Sequence, residues 1–157
     1  TLMTNAYVDT SVFGGVFDDE FDDASKAFFE LVRNGRFGLL VSDITRREIA
    51  QAPIEVKSLF SDLTSTMRLI PITAEVLKLR DAYIEAGIVG EKWLDDAAHV
   101  AAATVAQAGL IVSWNFRHIV HFDKIRLYNE VNVRRGFLAL DIRSPLEVVD
   151  YEDEETV

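Results

Sequence analysis

Short apolar runs separated by longer stretches of helical periodicity are the feature that most limits what this chain can fold into. Ala6–Val8, Phe37–Val41, Leu69–Ile72 and Leu110–Val112 read as buried strands, and Phe137–Ile142 as a short fifth. Between them the apolar residues take helical spacing. Ala24, Ala27, Phe28, Leu31 and Val32 form one face, stopped by Asn34-Gly35. Val56, Leu59, Phe60 and Leu63 form a second beyond a break at Pro53, and Val76, Leu79, Tyr83 and Ala86 a third that stops at Gly87. Another helix opens near Thr45, and Asp95–Ala108 is an alanine-rich helix ended by Gly109. Gly14-Gly15 marks a turn in the exit loop of the first strand. Alternation of this kind predicts an α/β fold with a mostly parallel sheet.

The length, 157 residues, suits one domain, expected over residues 1–149, with an acidic tail over 150–157. The absence of cysteine excludes a disulfide scaffold, an iron–sulfur site and a cysteine nucleophile. No apolar run approaches the roughly 18–20 residues that span a bilayer, and the start, TLMTNAYVDTS, has no basic region before a long apolar stretch. A cytoplasmic protein without a membrane partner is expected. The net charge of −10 argues against coating nucleic acid by bulk electrostatics, so any nucleic acid must be held by a local patch or a metal.

Parallel sheets gather ligands at the carboxyl ends of their strands. The first strand ends at Asp9, the second leads through Ser42 and Asp43 to a helix bearing Glu48, and the fourth runs into Ser113, Trp114 and Asn115. Asp95 and Asp96 open the alanine-rich helix. Asp9, Glu48, Asp96 and Asn115 can therefore converge. Several carboxylates brought together repel one another unless a cation neutralises them. Oxygen donors without thiolates favour Mg²⁺ or Mn²⁺, and the chemistry such a site suits is phosphodiester hydrolysis.

The patterns YVDTSVF, ITRREIA, WLDDAAHVAAAT and LIVSWNFRHIVH, with a late IRSPLEVV, occur in an order that resembles the PIN-domain family, close to its VapC toxin-like branch. The resemblance implies a three-layer α/β/α sandwich and a Mg²⁺- or Mn²⁺-dependent endoribonuclease acting on single-stranded RNA. It further implies homodimers and an antitoxin partner that blocks the site. Asp9 matches the first acidic ligand, Glu48 the second and Asp96, rather than Asp95, the third. Asn115 and His118 fall where many relatives carry a fourth acidic residue, and neither is acidic. That departure leaves a catalytically degenerate RNA- or protein-binding module as the alternative.

Each candidate also has an ordinary structural reading. Glu48 stands at capping-box spacing from Thr45, and Asp95 and Asp96 favour a helix dipole. Ser11 either supports a ligand or closes a turn, and His99 reads as a packed core residue. His118 and His121, three apart, make a poor zinc pair without further ligands. The acidic run Asp18–Asp23 fails the calcium-loop pattern and reads as a solvated helix start. Between Ser113 and Gly136, Arg117, Lys124, Arg126, Arg134 and Arg135 outnumber Asp123 and Glu130, a local excess of +3 that nominates RNA-backbone contacts. Phosphate-binding glycine fingerprints and the paired aspartates of phosphoaspartyl enzymes are absent.

Overall fold

A computed structural model of the chain describes residues 3–149; the expected acidic tail lies outside the described residues. Five parallel strands, β1 (Thr4–Val8), β2 (Phe37–Ser42), β3 (Met67–Ile70), β4 (Leu110–Val112) and β5 (Ile142–Arg143), lie in the order β3-β2-β1-β4-β5. Among the described residues, besides two single 3-10 turns, seven α-helices connect or flank them: α1 (Thr10–Gly15), α2 (Asp22–Arg33), α3 (Asp43–Ile49), α4 (Ile54–Asp62), α5 (Ala74–Glu85), α6 (Leu94–Val105) and α7 (Phe122–Arg134). No helix among the described residues is long and apolar enough to cross a membrane.

The two-residue period of the strands divides the core into two. Tyr7, Leu40 and Ile111 face one layer, where they pack with side chains of α5, α6 and α7. Their neighbours Ala6, Val8, Leu39, Val41, Leu110 and Val112 face the other, against α1, α2 and α4. This is the three-layer sandwich. The alanines of α6 let it lie close on the sheet, with Ala97, Ala101, Ala102 and Ala103 fully buried. In the same layer the Tyr83 hydroxyl of α5 donates to Asn132 Oδ1 of α7 at 2.5 Å, and Asn132 Nδ2 donates to Thr104 Oγ1 of α6 at 3.3 Å.

Four local expectations need correction. Residues 10–15 form α1 rather than a loop, and Gly15 serves packing instead of a turn. A β-carbon there would lie 2.5 Å from Ser25 Oγ and 2.7 Å from Trp114 Nε1. β3 is Met67–Ile70, two residues earlier than the apolar run, because Pro71 has no N–H to continue the ladder. Only Ile142–Arg143 forms β5. The preceding segment is tied to α7, since Asn129 Nδ2 donates to the Leu140 carbonyl at 2.9 Å and the Leu140 amide donates to Asn129 Oδ1 at 2.7 Å. The alanine-rich helix is α6, ending at Val105 rather than Ala108.

The order of the strands makes a switch point between β1 and β4. The chain leaves β1 toward the α1–α2 layer and leaves β4 toward α7 on the opposite layer, so a crevice opens between their carboxyl ends. Gly15→Ala is expected to part Trp114 from Ser25 and cost about 1–3 kcal/mol of stability, measured by urea unfolding.

Candidate active site

Asp9 follows β1 directly, and its amide still donates to the Val112 carbonyl of β4 at 3.4 Å. The residue is buried, 5% exposed. Oδ1 accepts from Ser11 Oγ at 2.6 Å and Oδ2 from Ser113 Oγ at 2.8 Å, so one hydroxyl comes from each side of the crevice. Ser11 is pinned in turn by the Trp114 amide, which donates to its Oγ at 2.9 Å. Burial pushes the Asp9 carboxyl above its ordinary range, against the opposing pull of His99 and the two serine hydroxyls.

Glu48 reaches the crevice from α3. The start of that helix is fixed by a capping box between Ser42 and Thr45, so Glu48 is not the capping residue that its spacing allowed. Its Oε1 instead accepts from Thr10 Oγ1 at 2.8 Å and pairs with His99 Nε2 at 2.6 Å. Both bonds fall on one oxygen. His99 is buried in α6, and its Nδ1 lies 2.8 Å from the Tyr7 hydroxyl, which lies 2.7 Å from Ser42 Oγ. Burial works against charge on both partners. The bond with His99 nevertheless holds Glu48 below its ordinary range. Tyr7, Glu48 and Asp9 hold His99 well above its own range. With the imidazole charged, both ring nitrogens donate, to Glu48 and to Tyr7.

Asp96, at the start of α6, accepts from His118 Nδ1 at 2.8 Å. His118 lies in the turn after β4 rather than beside His121 on a helix, and its amide donates to Asn115 Oδ1 at 2.9 Å. The Asn115 amide donates to Ser113 Oγ, which completes a path back to Asp9. Asp95 is half-exposed and paired with Arg47 at 2.7 Å. Glu48, Asp95, Asp96, Lys92 and Trp93 line one cleft of about 350 Å³.

The structure thus brings Asp9, Ser11, Glu48, Asp96, Asn115 and His118 to one edge. Among the described residues, no three acidic or histidine side chains gather closely enough to enclose an ion. The donors are oxygens of the type that hard cations take. They fit an ion held by one or two carboxylates with water completing its shell, and they do not form an all-protein cage. The basic segment divides. Arg117 and Lys124 line a cleft beside Asp96 and His118, whereas Arg126 and Arg134 lie together along α7 and Arg135 caps its end. Tyr7, Thr10 and the bond from His99 to Glu48 are site features that the sequence does not single out, and Ser113, noted there only as a strand-exit residue, holds Asp9.

No protein-family model matches the chain, and no curated protein matches it by sequence. Solved structures do. VapBC2 from Rickettsia felis, bound to a DNA fragment from its promoter, is 15% identical, aligns over 90% of this chain and 98% of its own, and gives a TM-score of 0.56. FitAcB from Neisseria gonorrhoeae is 13% identical over 90% and 98%, with a TM-score of 0.58. VapC20 from Mycobacterium tuberculosis, a sarcin–ricin loop cleaving toxin, is 13% identical over 87% and 98%, with a TM-score of 0.56. The fold is the PIN-type α/β/α sandwich of these structures, as the sequence resemblance implies.

The Glu48–His99 pair gives stability a pH dependence of known sign. The contribution of Glu48 is present above its ordinary value of about 4.3 and is lost as pH falls through its lowered folded value. That of His99 is full below about 6.5 and is lost as pH rises through its raised folded value. The stability difference between the wild type and His99→Gln is therefore expected to be largest between about pH 4.3 and 6.5, at about 1.5–3 kcal/mol, and to shrink at alkaline pH. Urea unfolding across a pH series measures it.

Proposed function

We propose that the protein is a metal-dependent endoribonuclease that hydrolyses phosphodiester bonds of single-stranded or structured RNA, the cytoplasmic toxin of a toxin–antitoxin pair. The observation that carries this reading is Asp9. It is a buried carboxylate with hydroxyl hydrogen-bond partners, at the switch point of a fold shared with an RNA-cleaving toxin. Burying such a charge is costly without a compensating cation. Asp9 and Glu48 are also close enough to raise the carboxyl of Asp9 electrostatically, which a shared cation would reverse.

Of Asp9, Glu48 and Asp96, one or two carboxylates would bind Mg²⁺ or Mn²⁺ directly and the remainder through its waters, and the ion would supply activation of the attacking water and stabilisation of the leaving oxygen. The chain's own residues aim the donors. Ser11 and Ser113 fix the plane of the Asp9 carboxylate. Thr10 and His99 hold Glu48 by one oxygen and leave the other outside their grip. Asn115 shapes the turn that carries His118, and His118 orients Asp96. The VapBC2 assembly supports an antitoxin partner, and a homodimer is proposed with it.

One observation favours the alternative of a PIN-fold module that binds RNA or protein without cutting. The amide oxygen of Asn115, in the position of a fourth acidic residue, already accepts from the His118 amide. Cleavage of a labelled single-stranded RNA with Mg²⁺ or Mn²⁺, beside a chelator control, separates the two. Asp9→Asn and Asp96→Asn are expected to lower cleavage about 100-fold or more. Because burial disfavours its charge, Asp9→Asn is expected to keep or raise the melting temperature while doing so. RNA that binds but stays intact, with no heat on metal titration, would establish the non-cutting module.

A further inference from the structure

We propose that the cleft between the turn over residues 87–90 and the turn over 116–118 is a phosphate subsite, which takes the RNA phosphate next to the one cut beside Asp9 and Glu48. The inference rests on the ribonuclease reading and adds where the strand runs. The cleft, about 470 Å³, is lined by Ile88, Trp93, Arg117, His118 and Lys124 with flanking glycines, and by no acidic residue. In a chain with 26 acidic and 16 basic side chains that is an unusual lining. It attracts anions locally although the whole molecule repels them.

The two cations are set in place. Lys124 Nζ donates to the Ile88 carbonyl at 2.6 Å, which fixes the ammonium on the wall and leaves two of its three N–H donors. The guanidinium of Arg117 lies 5.2 Å from the centre of the Trp93 ring, and Lys92 Nζ lies 5.3 Å from the same ring. His118 packs on Trp93 with ring centres 4.4 Å apart. Trp93 is thus occupied by its own neighbours, so the cleft offers charge rather than a stacking surface for a base. Contacts of that kind hold the backbone without reading sequence.

Position relates the cleft to the chemistry. Trp93 also lines the cleft that holds Glu48 and Asp96, so a single side chain divides the acidic wall from the basic one. His118 joins them as well, with Nδ1 on Asp96 and its ring in the basic cleft. A strand crossing the Trp93 ridge would place one phosphate beside the carboxylates and its neighbour between Arg117 and Lys124. Arg126 and Arg134, which line a separate groove on α7, take no part.

The test is binding of a short labelled single-stranded RNA to the full chain in chelator, by fluorescence anisotropy over a salt series. The double variant Arg117→Gln with Lys124→Gln is expected to bind at least about tenfold more weakly at low salt. Its plot of log affinity against log salt should flatten by about 0.7, from the loss of one phosphate contact on a single strand. A melting curve checks that the double variant stays folded. Arg117→Lys, which keeps the charge, is expected to retain the wild-type slope. Arg126→Gln with Arg134→Gln is expected to change neither affinity nor slope. Equal losses in the two double variants, an unchanged slope in the first, or no RNA binding by the wild type would overturn the subsite. The expected binding pattern without cleavage in Mg²⁺ or Mn²⁺ would support the subsite and overturn the nuclease reading. Cleavage with an unchanged KM in the Arg117/Lys124 variant would keep the nuclease and remove the subsite.

Discussion

A carboxylate buried at the end of the central strand is the constraint around which this molecule is arranged. Asp9 ends the central strand and is only 5% exposed, so its carboxylate depends mainly on protein partners. Two serine hydroxyls bond it, and a charged histidine acts at longer range. Each support comes from a different part of the chain: Ser11 from α1, Ser113 from the end of β4, His99 from α6. Replacing any one leaves a buried charge less compensated, a cost larger than the bond itself.

The same edge shows how backbone register becomes chemistry. The Ser42–Thr45 capping box fixes where α3 begins, and that start directs Glu48 toward Thr10 and His99. The strand alternation that sends Ala6 and Val8 to one layer sends Tyr7 to the other, where it meets His99. Glu48 and Asp9 therefore differ in kind. One is held in its charged form by a partner, and the other is pressed toward neutrality by its surroundings.

Much of this was legible in the sequence. The central strands β1, β2 and β4 stood out as apolar runs, because strands buried on both faces need continuous apolar residues, whereas the run at Leu69–Ile72 found only half of β3, an edge strand with Arg68 and Leu69 exposed. The strand-exit rule singled out Asp9 and Asn115, and the family pattern separated Asp96 from Asp95. In the structure Asp95 pairs with Arg47 at the surface and Asp96 with His118. Other features depended on distant partners. Gly15 resembles a turn glycine until Ser25 and Trp114 are seen against it. The apolar residues before β5 look like strand until Asn129 claims the backbone of Leu140. The link from His99 to Glu48 spans 51 residues, and no local spacing announces it.

The bonds joining Tyr83, Asn132 and Thr104 have a mechanical consequence. They sew α5, α6 and α7 into one slab, and the Tyr128 hydroxyl, donating to the His118 carbonyl at 2.8 Å, fastens the turn after β4 to it. Asp96 and His118 ride on this slab, whereas Asp9, Thr10 and Ser11 belong to the seam with the opposite layer. Two hydrogen-bonded paths, Asp96–His118–Asn115–Ser113–Asp9 and Tyr7–His99–Glu48–Thr10, fasten the slab to that seam, so the packing of the layers sets the gap between Asp96 and Asp9. The aperture of the crevice is a property of whole layers rather than of any single loop.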